Sequence, residues 1–161
     1  MSAAESSQAP PDVGDAAPDF SLPSSQGGEV RLSDFRGKSS VLLIFYPGDF
    51  TPICTLQLCS YTESYKAFAD RGFAIMGIGT DSVDVHRKFA KEKSISFPLL
   101  SDDGGKVCRD YGVFGSIMKR PQRALIMIDR NGIIKMRHVE MTRLLYRKAD
   151  AVLALLEKAL S

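Results

Sequence analysis

Two hydrophobic patterns alternate along this chain. Residues 40–46 (Ser-Val-Leu-Leu-Ile-Phe-Tyr) form a nearly unbroken apolar run, and 73–79 and 124–128 form two more. Runs this short predict strands covered on both faces, rather than the in-out alternation of a half-exposed sheet. The pattern predicts a short strand over 30–32 with a turn at Ser33-Asp34, a strand over 40–46, a helix from Pro52 to about Asp70 ended by Gly72, and a strand over 73–79. A helix capped by Asp81 or Ser82 is predicted to run to Lys93, with Val85, Phe89 and Ala90 on its inner face. Next come a strand over 97–100, a short helix near 106–111, and a hairpin of 124–129 and 133–139 turned at Asn131-Gly132. An amphipathic helix over 148–160 closes the chain.

The order βαβ, then α, then ββα predicts a three-layer α/β fold with a central mixed sheet. That is the order of a thioredoxin-like domain with an N-terminal extension. The 161 residues, 44% hydrophobic and 25% charged, fit one globular domain. Residues 1–10 are expected to be a disordered tail and 11–161 the domain. Net charge is only +2, but it is uneven: 5 basic and 9 acidic residues up to Thr80, then 16 basic and 10 acidic. Without a recognisable motif or interleaved aromatics, those later cations predict a solvated surface and no nucleic-acid partner. No apolar run approaches the ~20 residues of a membrane span. The first 19 residues lack the basic and apolar regions of a secretory signal. Three cysteines (54, 59 and 108) are an odd number in a chain able to fold without staples. Reactive thiols in a reducing compartment, the cytoplasm, are the expectation.

Chemistry concentrates in Pro47-Gly48-Asp49-Phe50-Thr51-Pro52-Ile53-Cys54-Thr55-Leu56-Gln57-Leu58-Cys59. The segment leaves a buried strand and enters a helix, so Cys54 falls in a helical first turn. Unpaired N–H groups and the helix dipole favour a thiolate there. Loops at the carboxyl ends of strands are also where α/β sheets carry their sites. A buried free cysteine can equally be a small core residue. The Cys-x4-Cys spacing is not the Cys-x-x-Cys of thioredoxins, and a zinc site would need four ligands. The candidates Cys108, His86 and His138 fall on three different predicted elements, so no metal site is expected. Five residues of helix rise ~7.5 Å and turn ~140°, placing the two cysteine Cα atoms nearly ~9 Å apart. A disulfide needs roughly 4.4–6.8 Å. If Cys54 and Cys59 bond, the first helical turns must unwind.

Pro47-x-x-x-Thr51-x-x-Cys54 resembles the active-site motif of the peroxiredoxins. A cysteine five residues later resembles their Q-type branch, the bacterioferritin comigratory proteins. Ala17-Pro18-Asp19-Phe20, Leu32-Ser33-Asp34-Phe35-Arg36-Gly37-Lys38, Phe97-Pro98-Leu99-Leu100-Ser101-Asp102 and Tyr111-Gly112-Val113 extend the likeness over most of the chain. The resemblance implies a thiol-dependent peroxidase for hydrogen peroxide and organic hydroperoxides, without metal, flavin or haem. It implies Cys54 as the peroxidatic cysteine, Thr51 as its hydrogen-bonding partner, Pro47 as its shield and Cys59 as the resolving cysteine. Arg123 matches the family's distant arginine, with Arg120 and Lys119 as rivals. Thioredoxin or a similar dithiol is the implied reductant, and a monomer or weak homodimer the implied assembly. A one-cysteine peroxidase using an external thiol, and a redox-sensing or holdase protein, are the alternatives. Three positions depart from the branch: Ile53 where Gly is usual, Gly48 where Lys is common, and Gln57 where Glu is usual. Cys108 is expected to be structural.

Overall fold

The computed structural model describes residues 10–115, 120–140 and 149–160. Nearly all of the expected tail, together with Lys119 and Lys148, lies outside the described residues. A hairpin of β1 (Ser21–Pro23) and β2 (Glu29–Arg31) leads through a 3-10 turn at Leu32–Phe35 into β3 (Ser40–Phe45). Helices α1 (Pro52–Glu63) and α2 (Tyr65–Asp70) precede β4 (Phe73–Gly79), and α3 (Val83–Lys93) precedes β5 (Leu99–Ser101). Then come α4 (Lys106–Asp110), the short pair β6 (Phe114–Gly115) and β7 (Arg120–Pro121), the hairpin β8 (Ala124–Ile128) and β9 (Ile134–Val139), and α5 (Ala149–Leu160).

The central sheet has the order β5-β4-β3-β8-β9. β3 runs parallel to β4 and antiparallel to β8, so the sheet is mixed. All six residues of β3 are buried, as an apolar run without polar alternation requires. Leu42, Ile44 and Tyr46 pack on one face with Cys54, Leu58, Tyr61, Phe68, Phe89 and Leu156. Leu43 and Phe45 pack on the other with Phe20, Leu22, Cys108 and Tyr111. Helices α1, α2, α3 and α5 therefore cover one face, and α4 with the N-terminal hairpin covers the other. Each fully buried Leu, Ile or Phe contributes about 1.5–3 kcal/mol of transfer free energy, so both layers are needed. Among the described residues no helix is long and apolar enough to cross a membrane.

Two elements differ from expectation. The single helix predicted from Pro52 to Asp70 is broken at Ser64 (φ −100, ψ 8). The Tyr61 and Phe68 rings meet across the break at 5.7 Å, a contact no local signal announces. On α3, the buried residues are His86 and Phe89, while Val85 is 38% exposed. The inner face is thus rotated towards a histidine.

Candidate active site

β3, β4 and β5 all end at one edge of the sheet, and the loop over residues 46–51 crosses it. Thr51 is the N-cap of α1 and Pro52 its first residue, where proline's fixed φ suits a helix and its missing N–H is not needed. Cys54 lies in that first turn, fully buried. The register pairs Phe45 with Ala124, so Arg123 stands just before β8 beside the end of β3. Its guanidinium, itself 3% exposed, donates from Nη1 to Cys54 Sγ at 3.3 Å and to Gln57 Oε1 at 2.7 Å. Cys54 and Gln57 are three residues apart, hence neighbours on one helix face. A cation, an amide and a sulfur thus meet in one buried cluster.

The other expected residues surround this centre. Pro47 is buried, and its carbonyl accepts from Arg120 Nη1 at 3.3 Å. The Thr51 hydroxyl donates to the Gly48 carbonyl at 3.1 Å, bracing the loop from within. Cys59 is half-buried on the same unbroken helix as Cys54, and both are free thiols. Along such a helix their Cα atoms stand ~9 Å apart, outside disulfide range. α1 is also weakly specified. Thr51 makes no side-chain cap bond, the first turn has no acid and the last turn no base. β-branched Ile53, Thr55 and Thr62 lower its propensity further. By contrast, Ser82 caps α3 by accepting from Val85 N–H, with Asp84 in its first turn and Lys91 and Lys93 in its last. The cysteines thus sit on a helix held more by its buried face (Cys54, Gln57, Leu58 and Tyr61) than by local propensity or caps.

Cys108 belongs to the opposite face of the sheet. Burial, then the hydrogen bond and charge of Asp102, push its thiol far above the ordinary range. Asp102 caps α4 with both oxygens, accepting from Val107 N–H at 3.1 Å and Cys108 N–H at 2.8 Å. The placement is that of a structural residue.

A second buried constellation adjoins the pocket. Asp49 Oδ1 accepts from the Tyr46 hydroxyl at 2.7 Å, and Asp49 Oδ2 lies 2.5 Å from His86 Nδ1. Both ionisable side chains of the Asp49–His86 pair are fully buried. Burial and then the Asp49 charge hold the Tyr46 phenol well above its usual range, so it remains a donor. Asp49 N–H donates to Asp81 Oδ2 at 2.7 Å, and Ser101 Oγ donates to the Asp81 carbonyl at 2.7 Å. Gly79 permits the close approach, since a Cβ there would lie 3.3 Å from the Tyr46 ring and 3.4 Å from His86 Cε1. Ligand-type atoms of Asp49, Asp81 and His86 lie within 4.8 Å of one another. They are already engaged with each other, with Tyr46 and with backbone N–H, so the group is a hydrogen-bond network. His138 pairs instead with Glu140 at 3.0 Å. The network escaped sequence reasoning because His86 and Asp49 are 37 residues apart. The one available signal was a histidine spaced three residues before Phe89.

A family model described as AhpC/TSA family matches residues 13–137. A chloroplastic peroxiredoxin Q of Sedum lineare is 40% identical over 127 residues, covering 76% of this chain and 66% of that protein. A peroxiredoxin bcp-type protein of Coxiella burnetii is 38% identical over 129 residues, covering 76% of this chain and 85% of that one. The chain belongs to the AhpC/TSA family, in its peroxiredoxin Q branch. It spans 66% and 56% of the lengths of the Sedum and japonica-rice chloroplastic relatives. The peroxidoxin BcpB of Mycobacterium tuberculosis superposes with a TM-score of 0.81 at 34% identity, covering 92% of this chain and 97% of that one. The reduced 2-Cys peroxiredoxin of Plasmodium vivax gives 0.85 at 32%, covering 92% and 81%.

Two departures from the peroxiredoxin Q pattern now have physical settings. A Cβ at Gly48 would stand 2.9 Å from Arg120 Nη1, so the absent side chain makes room for a guanidinium over the loop. Gln57 supplies a neutral acceptor to Arg123 where a carboxylate would offer a full counter-charge. Ile53 is half-buried, and nothing in the structure explains its replacement of glycine.

Proposed function

We propose that the protein is a thiol-dependent peroxidase acting on hydrogen peroxide and organic hydroperoxides. The observation that carries this reading is the buried Arg123 guanidinium 3.3 Å from Cys54 Sγ in the first turn of α1. The Cys54 thiolate attacks the peroxide O–O bond, and the sulfur gains one oxygen as a sulfenic acid. The leaving oxygen takes a proton and departs as water or alcohol. Arg123 and the N–H groups of the helix start are the donors near the charge that moves from sulfur to that oxygen, while the Thr51 hydroxyl, whose proton goes to the Gly48 carbonyl, offers its oxygen as an acceptor. Pro47 shields the sulfur from bulk solvent. Cys59 then attacks the sulfenic sulfur, forming an S–S bond and releasing water, with α1 unwound over its first turns. Thioredoxin or a similar dithiol reduces the disulfide, is itself oxidised, and returns both thiols.

The test is a mass map after one equivalent of hydrogen peroxide, without reductant and with a sulfenic-acid trap. A Cys54–Cys59 disulfide is expected. Trapped sulfenic acid at Cys54 beside a free Cys59 would establish the one-cysteine mechanism instead. An unmodified Cys54 in remaining peroxide would remove the enzyme reading.

A further inference from the structure

The loop over residues 47–50 has no strand partner, yet it aims α1 and Cys54 at Arg123. Phe50 takes φ +64, a left-handed conformation unfavourable for a bulky residue, and is 43% exposed. Its ring packs edge-on against Phe89 of α3 at 5.0 Å, a modest outside anchor for such a turn. The firmer ties are polar and converge on Asp49: Tyr46 and His86 at its two carboxylate oxygens, Asp81 at its N–H. Tyr46 directly follows the central strand β3 and still donates its N–H to the Ile78 carbonyl, and His86 lies on the well-capped α3, so both are fixed walls. Asp49 is the one member of the network that lies on the loop itself. A carboxylate oxygen only accepts, so Nδ1 carries the proton of the His86–Asp49 bond. Nε2 has no partner among the described residues, so the imidazole's polar contacts run through Nδ1.

We propose that His86 is a positioning residue for Cys54: its bond to Asp49 holds the loop in the arrangement that presents the sulfur beside Arg123, and this bond opens when α1 unwinds. The proposal rests on the two-cysteine peroxidase reading. To reach Cys59, Cys54 must close a gap of ~9 Å to below ~7 Å, and the short lead from Asp49 to Cys54 transmits that movement. While the bond holds, geometry favours attack on peroxide. Once it opens, the segment is released for disulfide formation. His86 therefore acts in opposite senses on the two chemical steps, and recovery by an amide N–H at position 86 separates its hydrogen bond from simple core packing.

The experiment uses the full chain and measures two rates separately by quenched flow and mass spectrometry. These are sulfenic-acid formation at Cys54 with hydrogen peroxide, and conversion of that species to the Cys54–Cys59 disulfide. His86→Leu removes the donor, while His86→Asn keeps an amide N–H near the Nδ1 position. A displacement of the sulfur by about 1 Å can cost as much as 10²-fold in rate. His86→Leu is expected to slow sulfenic-acid formation at least tenfold and to speed disulfide formation severalfold. His86→Asn should recover the first rate to within about threefold of the wild type. Should Leu at 86 prevent folding, Asp49→Asn weakens the same bond isosterically and should shift both rates in the same directions.

An unchanged first rate in the Leu variant, or two rates that fall together, overturns the proposal. So does an Asn variant no better than Leu. The unsubstituted protein separates the two readings. If it fails to react with peroxide, the peroxidase reading falls and this proposal with it. If it forms sulfenic acid but no Cys54–Cys59 disulfide, the resolving step is lost and the opening proposed here is overturned.

Discussion

Replacing Arg123 by alanine separates two ways in which a cation could serve Cys54. The guanidinium is 3% exposed and donates to both Sγ and Gln57 Oε1. One way is to raise the thiolate fraction. A free thiol of pKa ~8.5 is about 3% ionised at pH 7, so a fall from full ionisation to the free-thiol level costs roughly thirtyfold. The other way is to stabilise the transition state as charge moves onto the leaving oxygen, where removing one aimed donor costs about 10²–10³ in rate. Arg123→Ala is therefore expected to slow peroxide reaction by ~10²–10³ at pH 7, with the rate still well below the wild type near pH 10. The chain has no tryptophan, so quenched flow with mass detection of the sulfenic acid is the suitable assay. Truncation also leaves Gln57 without this donor, at about 1–3 kcal/mol of stability, so a thermal melt must accompany the kinetics. Arg123→Lys keeps the charge but not the planar fork and should recover only part of the rate. Full recovery of the alanine variant at high pH would refute the transition-state role and leave ionisation as the whole effect.

Oxidation should speed amide exchange across residues 51–60, because a Cys54–Cys59 bond cannot coexist with an intact α1; unchanged protection would contradict the unwinding. Cys108 should alkylate far more slowly than Cys59 in the native protein, since burial raises its thiol and the sheet separates it from the pocket; equal labelling rates would overturn its structural assignment. Cys108→Ala should keep peroxide turnover within about twofold. Asp102→Asn replaces one of two acceptor oxygens at the start of α4 by a donor facing an N–H. A loss of about 1–3 kcal/mol in chemical denaturation is expected with little change in turnover, and an unaltered midpoint would show that the cap is dispensable.

Local pattern carried most of the architecture. The apolar runs at 40–46, 73–79 and 124–128 could be satisfied only by a sheet covered on both sides, and Asn131-Gly132 could turn a hairpin; Gly132 takes φ +81. Where prediction departed from structure, the cause was remote. The break at Ser64 contains neither glycine nor proline, and rings on its two sides pack together. Val85 yields the inner face of α3 to His86 because Asp49 and Tyr46 lie opposite it, which no helical period can announce.

The same division runs through the site. The sequence by itself determined the strand-to-helix turn, the cysteine in its first turn and the second cysteine five residues on. These are matters of spacing along one element. Arg123 was already favoured over Arg120 by the family resemblance, but only tertiary structure set its guanidinium against the sulfur, made room for Arg120 at Gly48, and joined Tyr46, Asp49 and His86 in a buried network along the loop. Such contacts join residues tens of positions apart, and their partners are set by strand register and helix rotation. Periodicity constrains the face a residue occupies, but it does not encode what stands across from that face.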